Sequence, residues 1–239
     1  MPRNIDVDLR KAELAEAAIQ VIDRSGISAL TIPAVAEEAG ISTKCLRHVF
    51  PTRSDVLTGT AQHLITEVEN RIIAHVERYR KEQSSLPQGQ DHETRQRHVI
   101  DLAVECLKEV LPLDSDRRTE MIVHIALVAE SSAEPTLMRI RNEMNRGVHD
   151  VCVLLAIELF GCGPHSYADE DLQLAAMTLH VIADGLAHQL LHQDPAADTQ
   201  WAIDFIRARV ERIAANHMRN TVVRLARRGA TRSGASLAS

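Results

Sequence analysis

Residues Thr31 to Arg53, TIPAVAEEAGISTKCLRHVFPTR, decide the fold, because they spell two short helices about a tight turn. Thr31 is an N-cap whose hydroxyl can accept a bond from a free amide in the next turn. Pro33 falls in the first helical turn, where a missing N–H costs little. Val35, Ala36 and Ala39 share one side, and Gly40 stands where the helix must stop and the backbone favours positive φ. Ser42 caps a second helix from Thr43 to about Phe50, which Pro51 ends. Wound at 100° per residue, this helix places Cys45, Leu46, Val49 and Phe50 on one arc and Thr43, Lys44, Arg47 and His48 on the other. No carboxylate occurs between Glu38 and Asp55. A polar, cationic face could be an ordinary solvated one, but here it sits on the second helix of a helix–glycine turn–helix. That is the arrangement of a major-groove reader. Arg and Lys reach guanine edges or phosphates, while Ser and Thr add phosphate bonds.

The rest of the chain reads as an all-α protein of about nine helices, with no strand alternation. Residues 1–7 read as a short arm with Arg3 its one basic residue; fraying is the plainer reading and entry into the minor groove the sharper one. Helix 1 runs from about Asp8 to Arg24 with Leu14, Ala18, Val21 and Ile22 as its buried stripe, and Gly26 ends it. A helix of some 30 residues from Ser54 to about Gln83 is long enough to begin in the N-terminal unit and end beside a second one, with Gly59 a weak point or close contact. SSLPQGQD at 84–91 is a loop. Helices follow over about His92–Leu111, Ser115–Ser131 and Pro135–Phe160. After the loop at 161–171, two more run over about Asp169–His192 and Thr199–Ala215. The expected division is a helix-turn-helix domain at 1–54, a ligand-binding and dimerisation bundle at 55–216, and a basic, disordered tail at 217–239. Two apolar rows predict a homodimer seam: Leu172, Ala176, Leu179 and Ala183 on one helix, and Ile203, Ile206, Val210 and Ile213 on the next.

Composition narrows the partners. The formal net charge is -6, so DNA binding must rest on a local basic patch and two-fold avidity rather than on a global field. The tail carries five arginines, without which the charge would be -11. A solvated tail is the plainer reading and a non-specific DNA contact the sharper one. The four cysteines, at 45, 106, 152 and 162, form no CxxC and read as reduced thiols of a cytoplasmic protein. No signal peptide and no apolar run of membrane-spanning length is apparent, so no membrane partner is expected.

Gly40-Ile41-Ser42, Leu46, His48, Phe50-Pro51 and Arg53, with Thr31 and Ala36-Glu37-Glu38-Ala39 upstream, resemble the DNA-binding domain of the TetR family of bacterial transcriptional regulators. The likeness covers roughly residues 9–60. It departs from the family at Ile22, where an aromatic is usual, at Arg47 and Val49, where tyrosines are usual, and at Lys44 and Cys45, where small residues stand. Arg47 and Lys44 would supply charge in place of the lost tyrosine hydrogen bonds. Asp184-Gly185-Leu186 resembles, briefly, the C-terminal domain of the BetI-like branch. The resemblance implies a regulator, first of all a repressor, that binds a palindromic double-stranded operator as a homodimer and is released by a small-molecule effector; the sequence equally allows the reverse sign, with the effector promoting DNA binding. Its DNA-contacting set would be Thr31, Ser42, Thr43, Lys44, Cys45, Arg47, His48 and Arg53, with Thr31 and Arg53 as phosphate clamps.

Met121, His124 and Val128, with His180 and Asp184, are the candidate effector contacts. His124 and Glu120 could mark the polar end of an effector cavity, and a satisfied core histidine is an equal reading of His124. Aromatics make up only 3% of the chain, so the pocket is expected to be aliphatic and poorly suited to a choline-type ion, which aromatic faces usually grip. His180, Asp184, His188 and His192 at i, i+4 steps raise the alternative of a helical metal-binding protein; polar residues at an interface or pocket wall are the blander reading. Paired Glu-x-x-His motifs, HExxH, phosphate loop, GxGxxG and nucleophile elbow are all missing, so no enzyme and no cofactor is expected.

Overall fold

The computed structural model describes the backbone of residues 3–85, 92–132, 134–163 and 169–235, and side chains from 7 to 219 within those stretches apart from that of residue 92. Among them are nine α-helices and no strand: α1 Arg3–Ser25, α2 Ile32–Glu38, α3 Thr43–Val49, α4 Arg53–Ser85, α5 His92–Lys108, α6 Ser115–Glu130, α7 Pro135–Phe160, α8 Glu170–Leu191 and α9 Gln200–Ala235.

The N-terminal caps form as their residues dictate. Thr31 Oγ1 accepts from Ala34 N at 3.3 Å, and Ser42 Oγ from Cys45 N at 3.2 Å. Gly40 takes φ +64°, which lets the chain turn between α2 and α3. Thr52 and Asp55 cap α4 reciprocally: Asp55 N donates to Thr52 Oγ1 at 3.1 Å, and Thr52 N donates to Asp55 Oδ2 at 2.9 Å. Gly59 is a close contact, since a Cβ there would overlap the Phe50 ring that anchors the end of α3. A 3-10 turn at Ile27–Ala29, unmarked in the sequence, joins α1 to the loop before α2.

Two apolar clusters hold the molecule. One is formed by α1–α3 and the start of α4, and it also takes in Val123 and Leu127 of α6 and Leu137 and Ile140 of α7. The other packs α5, α7, α8 and α9 around Ile72 of α4. α4, about 50 Å long at 1.5 Å per residue, runs through both. The thiols of Cys106 and Cys152 lie in the second cluster, where burial pushes each up to about 12.

Several expectations are corrected. α1 begins at Arg3, so the arm read at 1–7 is mostly helix; the Arg3 side chain lies outside the described residues. α9 continues to Ala235, and the backbone of the supposed tail is helical that far; its side chains beyond residue 219 lie outside the described set. Most of the loop read at 84–91 and the middle of that at 161–171 also lie outside it.

The largest correction concerns the seam. Leu172, Ala176, Leu179 and Ala183, and with them Ile206 and Val210, are buried in this chain's own core, with Ile203 and Ile213 packed partly buried against it. The apolar side chains that α8 leaves outside are Leu174, Met177 and Val181, at 67%, 51% and 60% exposure, joined by Trp201 and Phe205 of α9. α8 is also apolar and long enough to cross a membrane by length and composition, which the sequence reading missed; 44% of that stretch is buried in the fold. Both corrections have one cause. α8 is apolar on its core side and on its outer side, so its hydropathy marks two faces at once.

Candidate functional site: a helix-turn-helix head and a buried cleft

Leu46 and Phe50 pin α3 into the first cluster, and the opposite side is free. Ser42, Thr43, Lys44, Arg47 and His48 are all exposed. Cys45 is exposed too, which corrects its place on the apolar arc; Leu46 and Phe50 are buried in the core and Val49 packs partly buried against it. Arg47 makes only a long contact, 3.5 Å, to the Pro51 carbonyl, and so remains free to turn outward. Thr31 is exposed, but its hydroxyl already caps α2. Neighbouring acids lie to the side, where Glu38 pairs with Arg24.

Arg53 points inward instead. Its Nε donates to the Leu30 carbonyl at 2.9 Å, Nη2 to the Ile27 carbonyl at 3.4 Å and Nη1 to Glu130 Oε2 at 2.6 Å. One guanidinium therefore ties the turn before α2, the start of α4 and the last residue of α6. Ser54 Oγ donates to Glu134 beside it at 2.5 Å, and Thr119 of α6 donates to Asp23 of α1 at 2.7 Å. In this conformation Arg53 is a strut rather than a phosphate clamp. Glu130 is far away in sequence, and nothing local marks it as the partner.

A cleft of about 500 Å³ lies where the two clusters meet, walled by α4, α6, α7 and α8. All five candidate effector contacts line it: Met121, His124 and Val128 from α6, His180 and Asp184 from α8. Its walls are mainly aliphatic, from Leu64 to Ile72 on α4 and from Met144 to Leu154 on α7. Of its polar residues the sequence reading marked His124 and Glu120, which both line the cleft, and missed the Glu109, Arg71, Arg117 and His75 network around them. Glu109, nearly buried, accepts from Arg71 Nε at 2.8 Å and Arg117 Nη2 at 2.7 Å and bonds His75 Nε2 at 2.9 Å. Burial by itself would raise its carboxyl, but the His75, Arg117 and Arg71 contacts outweigh that and hold it below the usual range. Glu120 accepts two bonds from Arg71, at 3.0 and 2.8 Å. Here the cost of burial outweighs the Arg71 contacts, leaving its carboxyl raised. A carboxylate inside the apolar run around Leu107 and Leu111 was the one available signal of this network.

The helix 8 histidines do not converge. His180 is buried beside the cleft, 3.7 Å from Asp184, whereas His188 and His192 are exposed and bond each other through Nε2 at 3.1 Å. Among the described residues no group of three or more His, Cys, Asp or Glu side chains is placed to hold a metal ion.

Comparison with known proteins agrees with this geometry. Residues 14–58 match the family described as bacterial regulatory proteins, tetR family, and residues 100–215 match the BetI-type transcriptional repressor C-terminal domain. The HTH-type transcriptional regulator BetI of Burkholderia thailandensis is 28% identical over 187 residues, covering 78% of this chain and 84% of that protein. Its namesake from Vibrio atlanticus is 33% identical over 72 residues, 30% of this chain and 36% of that one. Solved structures share the fold. A transcriptional regulator from Rhodococcus sp. Rha1 superposes with a TM-score of 0.65 at 20% identity, covering 86% of this chain and 96% of its own. A putative regulator from Saccharomonospora viridis, in complex with choline, does so with a TM-score of 0.60 at 20% identity, covering 84% and 93%. The multidrug binding protein EbrR, complexed with imidazole, gives a TM-score of 0.54 at 22% identity, covering 85% and 89%.

Proposed function

The chain belongs to the TetR family of bacterial transcriptional regulators, DNA-binding helix-turn-helix proteins that are not enzymes, and we propose that it is a dimeric, effector-released repressor. In this reading residues 1–54 form the DNA-binding head, residues 55–216 bind effector and dimerise, and the α9 extension beyond 217 is an appendage. Thr43, Lys44, Arg47 and His48 of two α3 helices enter successive major grooves, about 34–36 Å apart, on a palindromic operator. Ser42 and Thr31 lie near phosphates, and Cys45 borders the same face. Arg53 serves the strut described above and not the backbone of DNA. The protein works where the chromosome is, in the cytoplasm.

The observation that carries the coupling is that one helix serves both ends. α6 lines the cleft with Met121, His124 and Val128 and ends at Glu130, which holds Arg53 at the root of the head. An occupant that favours a shifted α6 repositions the head through that contact and through α4. Release requires the effector to bind the two conformations with different affinity, since equal affinity shifts nothing. Small molecules held by the choline-bound and imidazole-bound structural relatives support the reading of this cleft as an effector site.

The test is selection of duplexes from a random DNA pool by the purified protein at moderate salt without effector. The expected product is an inverted repeat with half-sites one helical turn or a multiple apart. Enrichment of single half-sites, or of none, overturns the dimeric-operator reading.

A further inference from the structure

Taking the cleft as the effector site, we propose that its ligand is an uncharged, elongated, mainly aliphatic or alicyclic molecule carrying a hydroxyl or carbonyl group, and not a quaternary ammonium ion.

The interior carboxylates are already committed. Glu109 is held by Arg71, Arg117 and His75, and Glu120 takes both of its bonds from Arg71. A ligand cation at that end would sit beside two guanidinium groups or displace them. The other carboxylates of the lining, Glu69, Asp150 and Asp184, are exposed at the mouth, where water screens an ion pair and its net contribution is small. Asp184 is the nearest to the histidines, and its side chain is 67% exposed.

A cation without a buried counter-charge needs aromatic faces. Among the described residues no Phe, Tyr or Trp lines the cleft. What the walls offer is aliphatic: Leu64, Ile65, Val68, Ile72, Val148 and Val151.

The remaining polar groups suit a neutral partner. His124 on α6 and His180 on α8 line the cleft from different walls. Burial keeps the His124 imidazole below its ordinary range, against a smaller opposing pull from Asp184. A neutral imidazole presents one donor and one acceptor, which match a hydroxyl or carbonyl oxygen. His180 is buried with Nε2 lacking a hydrogen-bond partner in the protein, so a ligand hydroxyl that reaches it supplies one. The lining runs from Arg117 to Val128 along α6, about 16 Å at 1.5 Å per residue, which sets the elongated shape.

The experiment uses two isosteric pairs that differ only in charge: choline against 3,3-dimethylbutan-1-ol, and acetylcholine against 3,3-dimethylbutyl acetate. Their affinities for the full-length protein are measured by calorimetry, with Val148→Trp to fill the cleft. Leu154→Trp, at an exposed lining position, serves if the first variant does not fold. The expected result is tighter binding of the neutral member of each pair, by tenfold or more, lost in the tryptophan variant. Equal or tighter binding of the ammonium member, lost in that variant, overturns the ligand class and leaves the cleft as the effector site. Binding of neither member, or binding that the tryptophan leaves intact, overturns the effector-site reading and the ligand class together.

Discussion

Helices α3 and α8 carry apolar residues at the same helical spacing, yet only on α3 does that spacing say which side faces inward. On α3 the apolar arc opposes Thr43, Lys44, Arg47 and His48, and Leu46 and Phe50 go inside as the wheel requires. On α8 the row through Leu172 and Leu179 is buried, while a second apolar row through Leu174, Met177 and Val181 is left outside. Periodicity assigns a face only when the opposite face is polar. A helix apolar on both sides has two duties, and the chain's own packing takes one of them before any partner can take the other.

The sharpest break between the two helices is a charge on the outer row of α8. Val181→Glu is expected to leave the fold intact and give a monomer in sedimentation, with operator affinity reduced about 100-fold or more through lost avidity. The buried neighbour Leu179→Ala should instead lower stability by about 2–5 kcal/mol while the protein that remains folded stays dimeric. A dimeric Val181→Glu protein would remove the outer row from the interface.

On α3 the matching change is Arg47→Ala. It should weaken operator binding by about 1–3 kcal/mol with little change in melting temperature, because the side chain has no internal partner beyond one long contact. Loss of stability in parallel would make Arg47 structural.

Gly59→Ala probes how α3 is held. A helix interior gains about 1 kcal/mol from Ala over Gly, but here the new methyl strikes the Phe50 ring, and overpacking costs about 1–3 kcal/mol. The expected sum is a loss of about 1 kcal/mol in denaturant unfolding, with α3 displaced and operator affinity reduced. A stabilised variant would show that Phe50 moves aside freely.

The smallest effect concerns pH. The folded His124 pKa lies below 6.5, so the unfolded chain binds the proton more readily. The stability tied to its neutral form is fully present above 6.5 and is lost as pH falls through the folded value. Melting temperature should therefore hold above about pH 6.5 and drop below it, and drop less in His124→Gln. An identical slope in the variant would assign the effect to other groups.

Legibility followed the range of the interactions. Thr31, Pro33, Gly40 and Ser42 act within four residues of themselves, and their caps and turn form as read. The five candidate effector contacts line one cleft; the sequence singled out His124, His180 and Asp184 because they stand out on apolar helices. The Arg71–Glu109–Glu120–Arg117 network escaped reading because its members come from α4, the α5–α6 connection and α6. The tie made by Arg53 was illegible for the same reason: its partner, Glu130, is 77 residues away.

The sequence by itself determined the all-α class, the helix-turn-helix and the exposed face of its second helix. Those follow from caps, glycines and one-sided amphipathicity, all of them local. Only the tertiary structure decided which side of α8 is core, what Arg53 holds and how the polar end of the cleft is neutralised. Each depends on which surfaces meet when helices distant in sequence pack, and a pattern along one chain carries no record of that meeting.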